Sequence, residues 1–559
     1  MTAKLEGKME PRVKLDQGTY IGRHYPPTAN RPKGLDVYLG IPYALPTGGE
    51  HRFRPARPIP RGPEERAKEF DAAALGLISP FTDTSAEPAP SGEDCLSVNV
   101  VVPSSVRERA TTGEAGRNGG SGRKLPVVVY FHGGAFNMGH GADRDMTSFV
   151  THAGDIIAVS FNYRLGALGF LPSGTVVAEG GREALNLGLG DQRVALKWVE
   201  ENIEAFGGDV RRVGVMGISA GAHSIGHHLL NEPPFHKAIL ESGAPTSRAV
   251  LDARHPRHEG HFAQLLSELG IAPTDTPLAK LRDVPLRTLV RAAKKVWDTN
   301  AASVTWPFQP VIDGPGGYIP APPLSLLEEG KGRGVPLIMG FCSNEGSAFV
   351  PPMHSGEDFA SFFKTLIPGL GAGDLKALEA LYPPGDFPEE PPASGLGAHW
   401  RRAEAAYAHY AYIAPVLQTA AYLGRHAPVY VYEFAVRDAA LGMANHTDQA
   451  PYVARLEDGL ARPGLREVAR RMHGFFAEFL TGDGAMEGWP RFIPPDGEGR
   501  GGGEGQRIMV FGKGNSELLG GERGVPCEVR TLGGRELERV RFWWGRTGLS
   551  QGMGDRLDP

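Results

Sequence analysis

A short apolar run, Val213 to Met216, leads at once into Gly217-Ile218-Ser219-Ala220-Gly221, and a Pro-free segment, AGAHSIGHHLL, follows from Ala220. A strand that turns directly into a helix forces the residue at the turn into a strained backbone conformation. The flanking positions must then lack side chains so that neighbouring backbone can pass close by. Gly217 and Gly221 meet that demand and leave Ser219 at the tip of an elbow. The spacing alone says little, because with 76 glycines in the chain chance supplies about 0.4 such pentads. The strand before it and the helix after it give Ser219 its meaning.

The same alternation runs through the chain. Cys95 to Val102, Leu125 to Phe131, Ile156 to Ser160, Ala238 to Glu241, Val335 to Met339 and Val429 to Val436 read as strands separated by helical segments. That pattern predicts an α/β fold with a large, mostly parallel sheet covered by helices on both faces. One helix is expected over Asp191 to Phe206, with Asp191 as its N-cap and Gly207-Gly208 ending it. Two Gly-rich polar stretches, Thr111 to Arg123 and Gly497 to Gln506, have no periodicity and read as flexible surface insertions. Strand-like runs resume on both sides of the first, so a single domain over residues 1–559 is expected rather than linked modules.

Composition narrows the function. The 59 Lys+Arg nearly balance the 64 Asp+Glu, for a net charge of −5, which excludes a polybasic nucleic-acid binder. Three cysteines, Cys95, Cys342 and Cys527, are too few and too scattered for a disulfide framework or a zinc cluster. The N-terminal residues hold no apolar leader-like run and no stretch approaches the length of a membrane span, so a cytoplasmic protein that neither enters nor crosses a membrane is expected.

A serine hydroxyl is a weak nucleophile at neutral pH and needs a base, an orienting carboxylate and donors for the developing oxyanion. The run ending at Phe131 opens into His132-Gly133-Gly134-Ala135-Phe136, whose glycines expose backbone N–H groups. With the Ala220 N–H, Gly133 and Gly134 would form a three-donor oxyanion hole. Glu345 follows the VPLIM strand, on the edge where open α/β sheets build their sites. His446 lies in MANHTDQAPYV, beyond the strand ending at Val436, whereas His409 and His473 fall inside helical patterns that favour packing. The chain order Ser219, Glu345, His446 is the order of α/β-hydrolases.

These residues resemble the type-B carboxylesterases, the family that includes cholinesterases and microbial carboxylesterases. The likeness covers nearly the whole chain: Tyr38 to Ala44, Arg52-Phe53, Glu93 to Leu96, Asn162 to Arg164, Asp191 to Arg193, Phe206 to Gly208, Glu241 to Ala244, Pro310 to Gly314 and Trp489-Pro490. The resemblance implies an α/β-hydrolase fold in which helical insertions cap the site. It implies Ser219 as nucleophile, His446 as general base and acid, and Glu345 as the orienting carboxylate. Gly133, Gly134 and Ala220 would line the oxyanion hole, while Arg52 with Glu93 and Arg164 with Asp191 would be structural ion pairs. Departures accompany it. Ser79 stands where secreted members carry a partner for Cys95, so that disulfide cannot form, in keeping with reducing surroundings. Ile218 and Gln449 replace the acidic residues usual beside the nucleophile and after the histidine.

The expected reaction is hydrolysis of a small-molecule carboxylic ester through an acyl-enzyme, with no metal or organic cofactor required and a monomer or homodimer as the working unit. An acyltransferase, lactonase or thioesterase using the same triad, and a non-catalytic cholinesterase-like binding protein, are the alternatives. Phe136, Trp306, Phe308 and Phe349 are the candidate substrate-binding residues, although aromatics in such contexts commonly belong to the core. The Asn445-His446-Thr447 triplet has glycosylation spacing, but a glycan there would obstruct the proposed base.

Overall fold

The computed structural model describes residues 10–80, 90–111, 124–273, 276–494 and 506–554. Their strands are β1 (Arg12–Leu15), β2 (Gly18–Ile21), β3 (Arg23–Tyr25), β4 (Leu35–Pro42), β5 (Glu69–Asp71), β6 (Ser97–Pro103), β7 (Leu125–Phe131), β8 (Ile157–Phe161), β9 (Gly208–Ile218), β10 (Lys237–Glu241), β11 (Leu337–Cys342), β12 (Val429–Phe434), β13 (Arg507–Lys513) and β14 (Val525–Thr531). A small sheet joins β1, β2 and β5, and a large one of eleven strands runs in the order β14-β13-β12-β11-β10-β9-β7-β8-β6-β4-β3. From β8 to β13 every neighbouring pair is parallel. Antiparallel pairs flank that run on both sides.

The central strands are buried on both faces, which is why they read as continuous apolar runs rather than alternating ones. Along β7 every residue is buried. Val127, Val129 and Phe131 enter one core cluster while Val128 and Tyr130 enter the other, as a two-residue side-chain period requires. Each such valine contributes about 1.5–3 kcal/mol relative to an exposed one. The α/β-hydrolase architecture expected from the sequence is therefore present, with the parallel run at its centre.

Two elements differ most from expectation. The helix predicted from Asp191 spans Leu187–Asn202 and tightens into a 3₁₀ turn over Ile203–Phe206. Asp191 does not cap it: its buried carboxylate is taken by Arg164, at 2.7 Å from Nη2. Gly207 does end the turn, with φ +86°, but Gly208 already opens β9. Strand β9 is also longer than the VGVM run, because Gly208 to Arg212 continue the ladder beside β7.

The first Gly-rich insertion from residue 112 on, and the second up to residue 505, lie outside the described residues. All three cysteines are free thiols, and Cys95 is buried beside Ser79. The ion pair of Arg52 with Glu93 forms as the resemblance implies, bidentate at 2.7 Å through both Nε and Nη2. Among the described residues no helix is long and apolar enough to cross a membrane. The connections between β10 and β11 and between β11 and β12 are long and helical. They carry Pro256–Glu268, Leu286–Asn300, Gly356–Leu366, Trp400–Ala408 and Ala414–Leu423, and they deliver several side chains to the carboxyl edge of the sheet.

Candidate active site

Ser219 follows β9 and precedes the helix Ala220–Leu229, with φ +54° and ψ −121°. This backbone is held from below, since the Ser219 N–H donates to the Glu241 carbonyl of β10 at 2.8 Å. The flanking glycines are required by packing. A Cβ on Gly221 would sit 2.2 Å from the Phe131 carbonyl oxygen, and one on Gly217 would sit 2.7 Å from the Gly221 carbonyl carbon. The elbow is thus a place where main chain packs on main chain, and any side chain there would displace it.

Glu345 lies three residues beyond β11 and is fully buried. Its Oε1 accepts from the Cys342 N–H at 2.7 Å, and its Oε2 accepts from His446 Nδ1. That contact fixes the imidazole tautomer and leaves the Nε2 lone pair toward Ser219, whose Oγ lies 2.8 Å away. The three side chains named from the sequence therefore meet in one hydrogen-bonded line. The loop carrying His446 is tied to the Glu345 loop. Asn344 N–H donates to the Ala444 carbonyl at 2.9 Å, and Ser347 Oγ donates to Asn445 Oδ1 at 2.7 Å. Asn445 also donates through Nδ2 to Asp448 at 3.0 Å. Tyr412 and Phe349 pack on the His446 ring with centroids 4.5 and 4.9 Å away.

The loop after β7 lies against the elbow. A Cβ on Gly133 would meet the Ile218 carbonyl oxygen at 2.9 Å and Ser219 Cβ at 3.2 Å, while Gly134, at φ +101°, would drive a Cβ to 2.1 Å from the Met138 carbonyl oxygen. Among the described residues the N–H groups of Gly133, Gly134 and Ala220 donate to no protein acceptor. His132 clamps the loop: its Nδ1 donates to the Gly133 carbonyl at 2.9 Å and its ring stacks on Tyr163 at 4.2 Å. Burial pushes the His132 pKa down to about 4, so it stays neutral.

Further buried charge surrounds this line. Arg144 and Glu241 form a pair 2% and 0% exposed, directly beneath the backbone that holds Ser219. Glu404 accepts from Gly346 N–H at 3.1 Å and Asn344 Nδ2 at 3.3 Å. Burial raises its carboxyl to about 7. Of the two departures, Ile218 is buried in the core with Met216 and Ile239. Gln449 is fully buried, donates to Ser242 Oγ at 2.9 Å and accepts from the Cys342 thiol at 2.9 Å. A neutral amide thus bridges two neutral groups behind Glu345, and burial raises the Cys342 thiol far above its ordinary range.

A cavity opens beside Ser219, walled by Phe136, Ala220, His223, His227, Arg248 and Tyr412 among others. Of the four aromatics expected to touch substrate, Phe136 lines this cavity. Trp306 lies under the Arg248 guanidinium at 3.7 Å and Phe349 packs on His446. Phe308 is 1% exposed, belongs to the core and does not line the cavity. Sequence reasoning missed His223, His227, Arg248 and Tyr412. The only local signal was a helix beginning at the elbow, whose fourth and eighth residues after Ser219 fall on one face. Among the described residues no group of three or more His, Cys, Asp or Glu is placed to hold a metal ion.

A model of the carboxylesterase family matches residues 9–496. The chain is 33% identical over 453 residues to a para-nitrobenzyl esterase of Bacillus subtilis, covering 78% of this chain and 82% of that one. It is 31% identical over 468 residues to secreted lipase 4 of Gibberella zeae, covering 80% and 79%. Its fold is similar to the crystal structure of Aspergillus niger EstA, with a TM-score of 0.76 at 25% identity over 97% of this chain and 99% of the other.

Proposed function

The chain belongs to the carboxylesterase family, as a carboxylic ester hydrolase, and from that premise we propose that it cleaves esters through Ser219, His446 and Glu345. The approach of His446 Nε2 to Ser219 Oγ, at 2.8 Å, is the observation that carries this reading. As Oγ attacks the ester carbonyl, its proton passes to Nε2. Glu345 keeps the proton on Nδ1 in place and stabilises the imidazolium that forms. The carbonyl oxygen becomes an oxyanion that accepts from the N–H groups of Gly133, Gly134 and Ala220. Collapse of this intermediate expels the alcohol, which takes the proton from Nε2, and leaves an acyl-Ser219 ester. Water activated by His446 then releases the acid and restores the hydroxyl.

Every proton taken up by His446 is returned within this cycle, and water is the one reactant the scheme adds to the ester. A reducing, cytoplasmic setting belongs to the same proposal. It is supported by the free thiols and by Ser79 beside Cys95, while the secreted relative weighs against it. Fractionation of the native host decides this point.

The direct test is rapid-mixing hydrolysis of an aryl ester. The scheme expects a burst of the aryl alcohol equal to the enzyme concentration, followed by slower turnover, with both phases absent in Ser219→Ala. Steady turnover by that variant would overturn it.

A further inference from the structure

Building on the esterase reading, we propose that the substrate's acid portion carries a second carboxylate on a short chain, and that Arg248 binds it. The chemical class is the half-ester of a short dicarboxylic acid.

The cavity beside Ser219 has a definite polarity. Ser219 and Ala220 line it and His446 does not. The departing alcohol must lie within hydrogen-bond reach of Nε2 to receive its proton, so the cavity away from that ring takes the acid side of the ester. The space is narrow and partly open to solvent. A short, compact chain suits it, and a long alkyl chain does not.

Its walls are unusually polar for such a space. Arg248 is half-buried and, among the described residues, forms no ion pair with a carboxylate. It is nevertheless held in place: the guanidinium lies 3.7 Å over the Trp306 ring, and Nη2 donates to the Val304 carbonyl at 3.1 Å. The Tyr412 hydroxyl is a further partner. Trp306 is itself anchored by its Nε1–H on the Ala301 carbonyl at 3.2 Å. A guanidinium carries five N–H donors in a planar fork, and one carbonyl with one hydroxyl leaves several of them for a ligand. The Arg248 backbone adopts φ +63°, a conformation that costs a non-glycine residue energy and tends to persist where function retains it.

His227 bears on the charge a ligand meets there. It lines the same cavity, is 4% exposed, and its Nδ1 has no hydrogen-bond partner. Burial lowers its pKa to about 3, so the ring is neutral. A neutral ring adds no second cation, so Arg248 is the positive charge an anion finds in this cavity. Glu345 cannot serve, because its oxygens already accept from His446 and Cys342. The other walls, Phe136 and Tyr412, exclude water and strengthen a charged contact there.

Monoethyl succinate and the neutral, isosteric ethyl 4-methylpentanoate separate the possibilities when ethanol release is measured for wild type and Arg248→Gln. Wild type should favour the half-ester by at least about tenfold in kcat/KM, and Arg248→Gln should collapse that ratio, chiefly through KM. Arg248→Lys should keep part of it, since charge remains while the fork is lost. The wild-type ratio stands as a test even if a variant fails to fold. Hydrolysis of the neutral ester with no preference for the half-ester overturns this proposal and leaves the esterase reading intact. An unchanged ratio in a folded Arg248→Gln also overturns it. Failure on both esters overturns this proposal, and the aryl-ester burst then decides the esterase reading separately.

Discussion

The elbow with its facing glycine loop, and the acid-side cavity beside it, share Ser219 but are built by different means. The elbow is main chain packed on main chain: Gly221 against Phe131, Gly133 against Ile218 and Gly134 against Met138. The cavity is walled by side chains that arrive from separate segments. Arg248 comes after β10, Tyr412 comes from the helical connection before β12, and Trp306 supports Arg248 from a loop between them. Substitutions in the first region should therefore act on all esters alike, and those in the second should reorder esters.

The largest effects belong to the triad. Ser219→Ala or His446→Ala should lower kcat by at least about 10⁴-fold on every ester, and the double variant should lose little more, because the residues act as one unit. Glu345→Gln should fall in the same direction by up to about 10⁴-fold while leaving KM nearly unchanged. Steady-state kinetics on three esters of different acid size checks whether the losses are uniform. Gly134→Ala comes next: it retains the triad but displaces the loop, and one lost donor costs about 10²–10³-fold in kcat. If that variant changed the ranking of esters rather than the rate on all of them, the division between the two regions would fail.

Effects in the cavity should be smaller and selective. Phe136→Leu shortens a wall residue that packs on Phe170 at 5.0 Å. It should shift the preference between acetyl and hexanoyl esters toward the longer acid by about three- to tenfold. A uniform loss would place Phe136 with the rate-determining machinery instead.

The smallest effect is on stability. Burial raises the Glu404 carboxyl to about 7 in the folded protein, above the roughly 4.3 of an unfolded glutamate. Between those values the folded state binds the extra proton, so stability falls as pH rises through that window and levels off above it. Glu404→Gln should remove this part of the slope, seen as a wild-type-minus-variant difference in urea melts at pH 4.5 and 7.5. A difference independent of pH would contradict it.

The contrast also explains which features were legible in the sequence. Glycines at 133, 134, 217 and 221 are needed because backbone passes close by, and such a demand leaves a local mark. Glu345 and His446 were found because parallel strands deliver their following loops to one edge. Arg248 left no mark, since its meaning depends on having no carboxylate near it in space. Tyr412 was hidden for another reason. Residues His409–Ile413 form a π-helical turn inside an otherwise α-helical stretch. The extra residue in that turn rotates the rest of the helix, so a 3.6-residue period misplaces the face. Asp191 reads locally as a cap because acidic residues favour both roles, whereas the family resemblance already pairs it with Arg164, and the buried ion pair bears the resemblance out. Phe308 shows the converse, an aromatic near the site that serves the core.

The central claim is that Ser219 is activated by His446 within the geometry described. Treatment of the folded protein with a fluorophosphonate, followed by mass mapping of the adduct, tests it most directly. The account predicts one adduct per chain, on Ser219, forming at least about 10³-fold more slowly in His446→Ala. A stable fold with no adduct at Ser219, or an adduct formed equally fast without His446, would contradict it.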